Sequence, residues 1–585
     1  MTPEASATQS DQLDQADASD EAVWLDEDWL VAAHGSDAPV TPLSTEAIAV
    51  CELWTLEGLY AAIETLPDQA WPYKVLGDFW RDRRPDLAVA AYCHTLACEP
   101  NQFTLLTMTA SLAVSQKQTA IAKDLYYQAI GYLPHRPEPF YNLGRMADEA
   151  GEAHPAVVLY SQALMRDPTF GPVYVSLGNA WGRMGDWLRA LATYGAGLQH
   201  PDCVSLAELY HGQGRAHEKL GNLAGALGTY EAAIAEKPAA VEYQCSLALL
   251  LLKMGNWERG WAVYEWRLRQ PFYGSLLAEC QPRWTGDDLT GQTLLVRSEQ
   301  GLGDTIQFCR YLPRLRERAA RLIFRGRACL RELVMTVGGV DEFVDWETPL
   351  DGVVYDRAVP LMSVPQYFAP EPAIAAEATA AQPVYLQVPE RVKDFELPAP
   401  AAGTGGQGTE VKKVGLVWAS GYRDLPELIE QYHEKTCDVA ELMGAIAPSD
   451  NQSEGQSDSS AKTQTKIQCY SLQVGRDVPS GQRFYEDGSL IDLSDRLGSF
   501  SETAAAIAQL DLVISVDTAV AHLAGALGKP VWIMLPWQAD WRWLCDRSDS
   551  VWYTTARLFR QTAVGDWASV YGAISQALAE ELGGE

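Results

Sequence analysis

The chain has 585 residues, 47% of them hydrophobic and 21% charged, so it is too long for one core and too apolar to be disordered throughout. Its 45 Lys and Arg residues against 77 Asp and Glu residues give a formal net charge of −32, and such a surface repels phosphate backbones and anionic lipids. We therefore expect three or four folded units, and neither nucleic acid nor a membrane surface as a partner.

The first residues differ from the rest in charge. Residues 1–45 contain ten carboxylates and no Lys or Arg, which predicts a disordered acidic tail over residues 1–42 and a capping helix over residues 43–70. No basic, apolar leader opens the sequence, and the most apolar run, at 247–252, is far below the roughly 20 residues that span a bilayer. Eleven Cys residues without a Cys-x-x-Cys pair favour a reducing compartment. We expect a soluble, cytoplasmic protein without a transmembrane segment.

A repeat follows the tail. Pro100, Pro134 and Pro168 are 34 residues apart, and each closes an apolar pattern of helical period, which is typical of tetratricopeptide repeats. The pattern predicts a solenoid of about six helix pairs over residues 71–270, whose concave face binds a peptide or protein segment. The clearest copy, 138–168, contains Gly144, Gly151, Ala156, Tyr160 and Ala163 at the positions where such helices pack or turn.

After Trp284 this period disappears, and short β-branched runs alternate with helical stretches. Such alternation predicts two parallel sheets of the α/β class. We predict a first Rossmann-like lobe at 285–390, a linker at 391–411 and a second lobe at 412–575, interrupted by a disordered insertion at 448–465. The predicted strands are at 293–297, 322–324, 414–418, 512–515 and 531–534.

The turn after the first predicted strand carries a candidate catalytic group. Gly301 and Gly303 allow a tight turn, and Asp304 comes at the start of a predicted helix, where it could equally be a helix cap. Ile306 occupies the place of the third glycine in a dinucleotide fingerprint, which counts against a nicotinamide or flavin oxidoreductase.

A second turn, after the predicted strand at 512–515, has the features of an anion site. Asp517 and Thr518 lead into a helix of small residues, and the start of a helix attracts phosphate. His522 lies five residues after Asp517 and by itself is more typical of a core histidine. Further along is a tryptophan cluster whose members could stack on a base or sugar, although core packing is the simpler interpretation: Trp537, Trp541 and Trp543.

These two turns together resemble those of the bacterial glycosyltransferases of family 9, the heptosyltransferase-like group. The matching blocks are 299–308 and 515–530, with further similar segments at 414–421, 470–475 and 535–543. The chain also resembles bacterial proteins that fuse tetratricopeptide repeats to such a domain, and more loosely the protein O-linked N-acetylglucosamine transferases. The resemblance implies a GT-B fold of two facing Rossmann-like lobes, a sugar nucleotide held mainly by the second lobe, and no metal or other cofactor.

The resemblance also implies roles for individual residues. Asp304 matches the general base that accepts a proton from the acceptor hydroxyl. Asp517, Thr518 and His522 match the nucleotide-diphosphate motif, and Lys435 is the candidate cation for the departing pyrophosphate. The other expected contacts of the nucleotide sugar are Gly301, Gly303, Thr305, Gln307, Ser420 and Gln473.

Two departures from the family pattern bear on the substrate. Ala519 stands where the family often has glycine, and 422–434 lacks the Asn- and Arg-rich pattern of the fused proteins. The leading hypothesis is an inverting, metal-independent glycosyltransferase of hexosyl or heptosyl type, acting on a protein or glycan acceptor that the repeats help to select. The alternatives are a non-catalytic scaffold with a degenerate transferase domain, and a hydrolytic or epimerising two-lobed enzyme.

Overall fold

The computed structural model describes residues 56–200, 206–368, 384–399, 411–421, 426–446 and 466–583. The predicted acidic tail and the insertion at 448–465 lie outside these residues, as does the part of the predicted capping segment before residue 56. The chain divides into two compact units, Met1–Gly212 and Gln213–Glu585.

The first unit consists of helices joined by short turns. Helix α1 (Leu56–Thr65) lies in the segment predicted as a cap, and consecutive helices after it pack on one another. They are α2 (Ala70–Trp80), α3 (Pro85–Cys98), α4 (Phe103–Ser115), α5 (Thr119–Tyr132), α6 (Glu138–Glu149), α7 (Ala153–Arg166), α8 (Pro172–Arg183) and α9 (Trp187–Gly197), followed by α10 (Leu206–Lys219), which contains the division between the units.

Small residues let the two helices of a pair approach closely. A Cβ atom added at Gly144 in α6 would lie 2.6 Å from a ring carbon of Tyr160 in α7, so only glycine fits there. The same contact recurs between Gly178 and Tyr194, and Tyr194 also covers Gly212, where an added Cβ atom would lie 2.5 Å from its ring. The buried tyrosine therefore fills the gap inside its own pair as well as the gap to the next helix.

From Lys117 onward, the turn inside each helix pair uses a left-handed backbone. Gly151 and Gly185, 34 residues apart, have φ angles of 78° and 77°, a region that glycine adopts without strain. Lys117 takes the same position in the preceding pair with a φ of 59°. The period of the sequence is therefore a period of backbone conformation as well as of side-chain type.

The second unit begins with helices of the same kind and continues into the α/β region. Gly221 and Gly255 repeat the left-handed turn, with φ angles of 79° and 76°. The helices are α11 (Leu223–Glu236), α12 (Val241–Lys253) and α13 (Trp257–Tyr264), then a 3-10 turn at Glu265–Arg269 and α14 (Gly274–Glu279).

The first lobe contains a four-stranded parallel sheet in the order β3-β2-β1-β4. Its strands are apolar and buried on both faces, as expected for a sheet covered by helices on two sides. The strands are β1 (Thr293–Arg297), β2 (Arg321–Gly326), β3 (Glu342–Asp345) and β4 (Arg357–Pro360), and the helices are α15 (Leu302–Phe308), α16 (Leu312–Arg318) and α17 (Arg331–Thr336).

The second lobe contains a six-stranded parallel sheet in the order β10-β9-β8-β5-β6-β7. Its strands are β5 (Val411–Val417), β6 (Lys466–Ser471), β7 (Leu490–Asp492), β8 (Leu512–Val516), β9 (Val531–Leu535) and β10 (Ala556–Arg560). Its helices are α18 (Pro426–Lys435), α19 (Val439–Ile446), α20 (Gln482–Glu486), α21 (Phe500–Ala508), α22 (Ala519–Ala526) and α23 (Trp567–Gly583).

These elements confirm the predicted fold class, a helical repeat region followed by two parallel α/β sheets. The predicted linker is described up to residue 399, and this part packs on the domain: Val392 is buried, and Gln509 donates a hydrogen bond to the carbonyl of Phe395 at 2.7 Å. No helix in the described ranges combines the length and apolar character that crossing a membrane requires.

Candidate functional site

The turn between β1 and α15 places Asp304 beyond the carboxyl end of β1. Gly301 precedes the helix with an extended backbone, and its amide donates to Asp304 Oδ2 at 2.6 Å. Gly301 is therefore the N-cap residue, and Asp304, the third residue of the helix, accepts from its amide as in a capping box instead of being the N-cap itself. The left-handed residue of the turn is Gln300, with a φ of 59°, and not one of the two glycines.

Gly303 is needed for the approach of the two lobes. A Cβ atom in its place would lie 3.0 Å from His522 Cδ2 and 3.5 Å from the Cα atom of Ala519, both in α22 of the second lobe. The start of α15 and the start of α22 are therefore in direct contact, and the two turns singled out in the sequence belong to one site.

Gly303→Ala should separate these helices. The added methyl group meets a buried histidine ring and a helix backbone that have little room to move, so we expect a loss of about 1–3 kcal/mol in unfolding free energy. Thermal unfolding of the full chain measures this loss. Gly572→Ala in α23 is the matched control, because nothing lies within 4 Å of its added Cβ atom; a similar loss in both variants would contradict the assigned packing role.

Arg542, from the loop after β9, binds the candidate base. Its Nη2 forms a short ion pair with Asp304 Oδ1, its Nη1 lies 2.8 Å from Asp540 Oδ1, and its Nε donates to Gln307 Oε1 at 2.7 Å. Burial raises the pKa of Asp304 above the usual range of an aspartate, and the positive charge of Arg542 opposes this rise. Burial also acts on the pKa of Asp540, but Arg542 and Lys435 outweigh it and hold that pKa low.

A second ion pair lies at the start of α22. Lys435 Nζ, at the end of α18, is 2.6 Å from Asp517 Oδ2. Burial alone would lower the pKa of Lys435, but the carboxylates of Asp517 and Asp540 overcome it and raise that pKa. The side chains of Lys435 and Asp304 remain 24% and 18% exposed to solvent.

His522 is buried between aromatic residues. Its Nδ1 lies 2.9 Å from the Tyr553 hydroxyl, its ring stacks on Trp543 with centroids 5.3 Å apart, and its Nε2 is 4.0 Å from Asp517 Oδ1. Burial lowers the pKa of His522 to about 4, although the carboxylate of Asp517 acts in the opposite direction. The imidazole is therefore neutral at physiological pH.

The low pKa of His522 makes stability depend on pH. Between its unfolded pKa of ~6.5 and its folded pKa of about 4, the unfolded chain binds a proton that the folded chain does not, so the His522 contribution to stability is lost as pH falls through this window. Lowering the pH from ~7.5 to ~5 should cost the wild type about 2 kcal/mol more than it costs His522→Asn. Urea unfolding at both pH values measures the difference, and equal pH dependence in the two proteins would contradict it.

Three other predicted residues have local partners, and a fourth is placed only by its burial. Thr305 Oγ1 donates to the Gly301 carbonyl at 3.4 Å, and Thr518 Oγ1 lies 3.0 Å from Ser515 Oγ. The buried Gln473 accepts from the backbone amides of Trp418 and Ala419 at 3.3 and 3.0 Å, which ties the end of β5 to β6. Ser420 is half-buried in that same loop. Gln473 and Ser420 thus lie at the carboxyl ends of β6 and β5 in the second sheet.

Arg542 and Asp540 were missing from the site predicted by sequence. They lie within the block 535–543 that resembles the family, but only the tryptophans of that block were considered as candidate ligand contacts. Trp541 and Trp543 are buried core residues, whereas Trp537 is 40% exposed. An Arg two residues after an Asp, just beyond a buried strand, is the signal that the pattern offered.

The charged side chains of the site nearly balance. Asp304, Asp517 and Asp540 face Arg542 and Lys435, which leaves one net negative charge while His522 is neutral. A carboxylate with a raised pKa can accept a proton, and a helix start with a lysine beside it can receive an anion. In the described ranges, no group of three or more His, Cys, Asp or Glu side chains is arranged to hold a metal ion.

One family model matches a part of the chain that includes the start of α22. The family model described as glycosyltransferase family 9 (heptosyltransferase) matches residues 495–533, which include β8, α22 and most of β9. Protein FlbA of Caulobacter vibrioides is 25% identical over 549 residues, which cover 90% of this chain and 81% of FlbA.

Two of the solved structures that are similar to parts of the chain are described as TPR proteins. YrrB, described as a TPR protein with an unusual peptide-binding site, is 19% identical and matches 32% of this chain and 95% of its own, with a TM-score of 0.27. The C-terminal part of a TPR repeat-containing protein from Cytophaga hutchinsonii is 14% identical and matches 38% of this chain and 93% of its own, with a TM-score of 0.31.

Proposed function

The chain joins tetratricopeptide-type helix pairs to a family 9 glycosyltransferase-like domain, and from this architecture we propose an inverting, metal-independent glycosyltransferase. It moves a hexosyl or heptosyl group from a nucleotide-sugar donor to an acceptor. The observation that carries the proposal is the contact between α15 and α22, which places Asp304 near the start of α22, where the two parallel-sheet lobes meet.

Asp304 is the proposed general base. It accepts the proton of the acceptor hydroxyl as that oxygen attacks the anomeric carbon, and the bond from this carbon to the diphosphate oxygen breaks on the opposite face. A base with a raised pKa accepts the proton more readily, and the nearby Arg542 keeps the carboxylate ionised before the attack. Such a base typically contributes ~10²–10⁴-fold to the rate.

The start of α22 is the proposed diphosphate site. The amides of its first turn and the positive end of its dipole favour an anion, and Lys435 adds a charge at the same place. These groups stabilise the negative charge that develops on the departing diphosphate, the task that a metal ion performs in other transferases. The repeats would hold the acceptor, a protein or a glycan, because stacked helix pairs offer an extended binding surface.

One observation favours a second candidate, a non-catalytic scaffold. Both cations of the site are already paired with carboxylates, so a diphosphate would have to displace Asp517 from Lys435 or bind beside the pair. A domain that no longer binds a nucleotide could retain these ion pairs for stability alone.

Nucleotide binding separates the two candidates. UDP, GDP and ADP, and their sugars, should be screened by thermal unfolding in the presence of EDTA. If the chain is a transferase, one nucleotide raises the Tm saturably, by the equivalent of about 2.7 kcal/mol at 100-fold Kd. Lys435→Gln should weaken the effect, whereas Lys393→Gln, which replaces an exposed lysine of the predicted linker, should not. No shift with any nucleotide would favour the scaffold, and free sugar or an epimer without use of an acceptor would identify a hydrolytic or epimerising enzyme.

A further inference from the structure

Helix α13, from the last helix pair, packs on both lobes of the transferase-like domain. The ring of Trp261 meets Phe308 of α15 with centroids 5.8 Å apart and Trp541 of the second lobe at 5.4 Å. Trp257 meets Trp552 of the second lobe at 5.6 Å. These rings belong to one buried cluster, so the end of the repeats is part of the core that holds the lobes together.

The same end of the repeats holds the turn that carries Asp304. The side-chain amide of Gln300 donates to the hydroxyl of Tyr264 at 2.7 Å and to that of Tyr273 at 3.1 Å. Gln300 is the residue with a φ of 59°, a conformation that costs a non-glycine residue about 1 kcal/mol or more. The next amide, that of Gly301, binds the carboxylate of Asp304. A hydrogen bond from the repeats therefore stabilises the backbone that orients the candidate base.

A separate contact holds the loop that carries Arg542. Gln538 Nε2 donates to the carbonyls of Lys219 and Glu218 at 2.9 and 3.1 Å, at the end of α10. Gln538 Oε1 accepts from Lys253 Nζ, at the end of α12, at 3.0 Å. Gln538 lies four residues before Arg542 in a short loop, so its position restricts where the guanidinium can be.

We propose that the last two helix pairs are a positioning element of the transfer site, with Tyr264 acting through Gln300 on Asp304, and the ends of α10 and α12 acting through Gln538 on Arg542. Tyr264 and Gln538 are positioning residues in this proposal, because neither touches the ion pair directly in these contacts. The claim about catalysis rests on the proposed function. The claim that these contacts hold the turn of Asp304 and the loop of Arg542 in place does not.

Hydrogen exchange of the full chain tests the positioning without any substrate. Tyr264→Phe removes one hydroxyl and should speed amide exchange in residues 298–304 about fivefold, and Gln538→Ala should do the same in residues 536–544. Each variant should leave the other segment unchanged. Tyr126→Phe is the control, since it removes a hydroxyl that lies 2.9 Å from Ser111 Oγ within the first unit. Unchanged exchange in either segment overturns the proposal.

Kinetics then test the link to catalysis. With whichever UDP, GDP or ADP sugar is turned over, Tyr264→Phe should lower kcat about fivefold and leave the donor KM nearly unchanged. Gln300→Gly takes up the left-handed backbone without help, so Tyr264→Phe should have no further effect in that background. Additive losses would overturn the role assigned to Tyr264. If no donor is turned over, the exchange experiment still decides the positioning, so failure of the proposed function is recognised separately.

Discussion

Asp304→Asn is expected to lower kcat by ~10²–10⁴-fold while nucleotide affinity stays close to that of the wild type. The amide keeps the shape of the side chain and can still accept a hydrogen bond from the Gly301 amide, but it cannot take the proton of the acceptor hydroxyl. Release of nucleotide diphosphate from the donor identified by thermal unfolding measures kcat, and titration of the same nucleotide measures affinity.

The pH dependence of turnover gives a second test of Asp304 as the base. The base must be ionised, so kcat/KM of the wild type should fall as pH decreases through the pKa of Asp304, which burial places above the ordinary value of ~3.9. This acid limb should be absent in Asp304→Asn.

A matched variant controls for the loss of a carboxylate that binds a backbone amide. Asp288 lies on the surface of the first lobe and accepts from the Thr290 amide at 3.1 Å, as Asp304 does from Gly301. Asp288→Asn should retain full turnover. Wild-type turnover in Asp304→Asn would remove that residue from the proposed mechanism, and equal losses in both variants would show an effect on the fold instead.

Arg542→Gln is expected to lower the unfolding free energy by about 3–5 kcal/mol. The arginine is buried and pairs with Asp304 and Asp540, and it stacks on the ring of Trp541 at 4.3 Å. Without the cation, Asp304 and Asp540 lose their partner. Of the charged residues described for the site, Lys435 is then the one cation for three carboxylates, those of Asp304, Asp540 and Asp517. Urea unfolding of the full chain, followed by tryptophan fluorescence, measures the loss.

The control for this prediction is Arg547, an arginine of the same region that is only half-buried. Arg547 pairs with Asp549 at 2.7 Å, and Arg547→Gln should cost less than about 1 kcal/mol because solvent screens that pair. Adding Asp304→Asn to Arg542→Gln should recover part of the loss, since it removes one of the unpaired charges. Equal stability losses in the two arginine variants, or no recovery in the double variant, would contradict a buried charge pair at Arg542.

Much of the repeat region could be predicted from residue types alone. The contact between Gly144 and Tyr160 recurs between Gly178 and Tyr194 because the two helix pairs have the same crossing, and Gly151 and Gly185 recur because their turns need the same left-handed backbone. The strands at 293–297 and 512–515 were also recognisable, since a buried parallel strand is a short run of β-branched and apolar residues.

The site was harder to predict than the fold. Within each of the two turns the residues are consecutive in sequence, so a motif can reveal them. Gly303 of the first turn and His522 after the second are also in contact in the structure. The sequence could not show that Gln300 rather than a glycine takes the left-handed conformation, because the side-chain bonds to Tyr264 and Tyr273 come from an element about 30 residues earlier. Nor could it show that Asp517 is bound by Lys435 across 82 residues.

Periodic packing and strand composition are local properties, which a few consecutive residues encode, and this is why the order of helical repeats and two sheets is legible in the chain itself. The charge state of the site is not local. Asp304 and Arg542 are 238 residues apart in sequence, and the low pKa of His522 follows from burial among residues of several elements. Ion pairing and desolvation depend on distances in space, so these properties arise only when the two lobes and the end of the repeats are packed together.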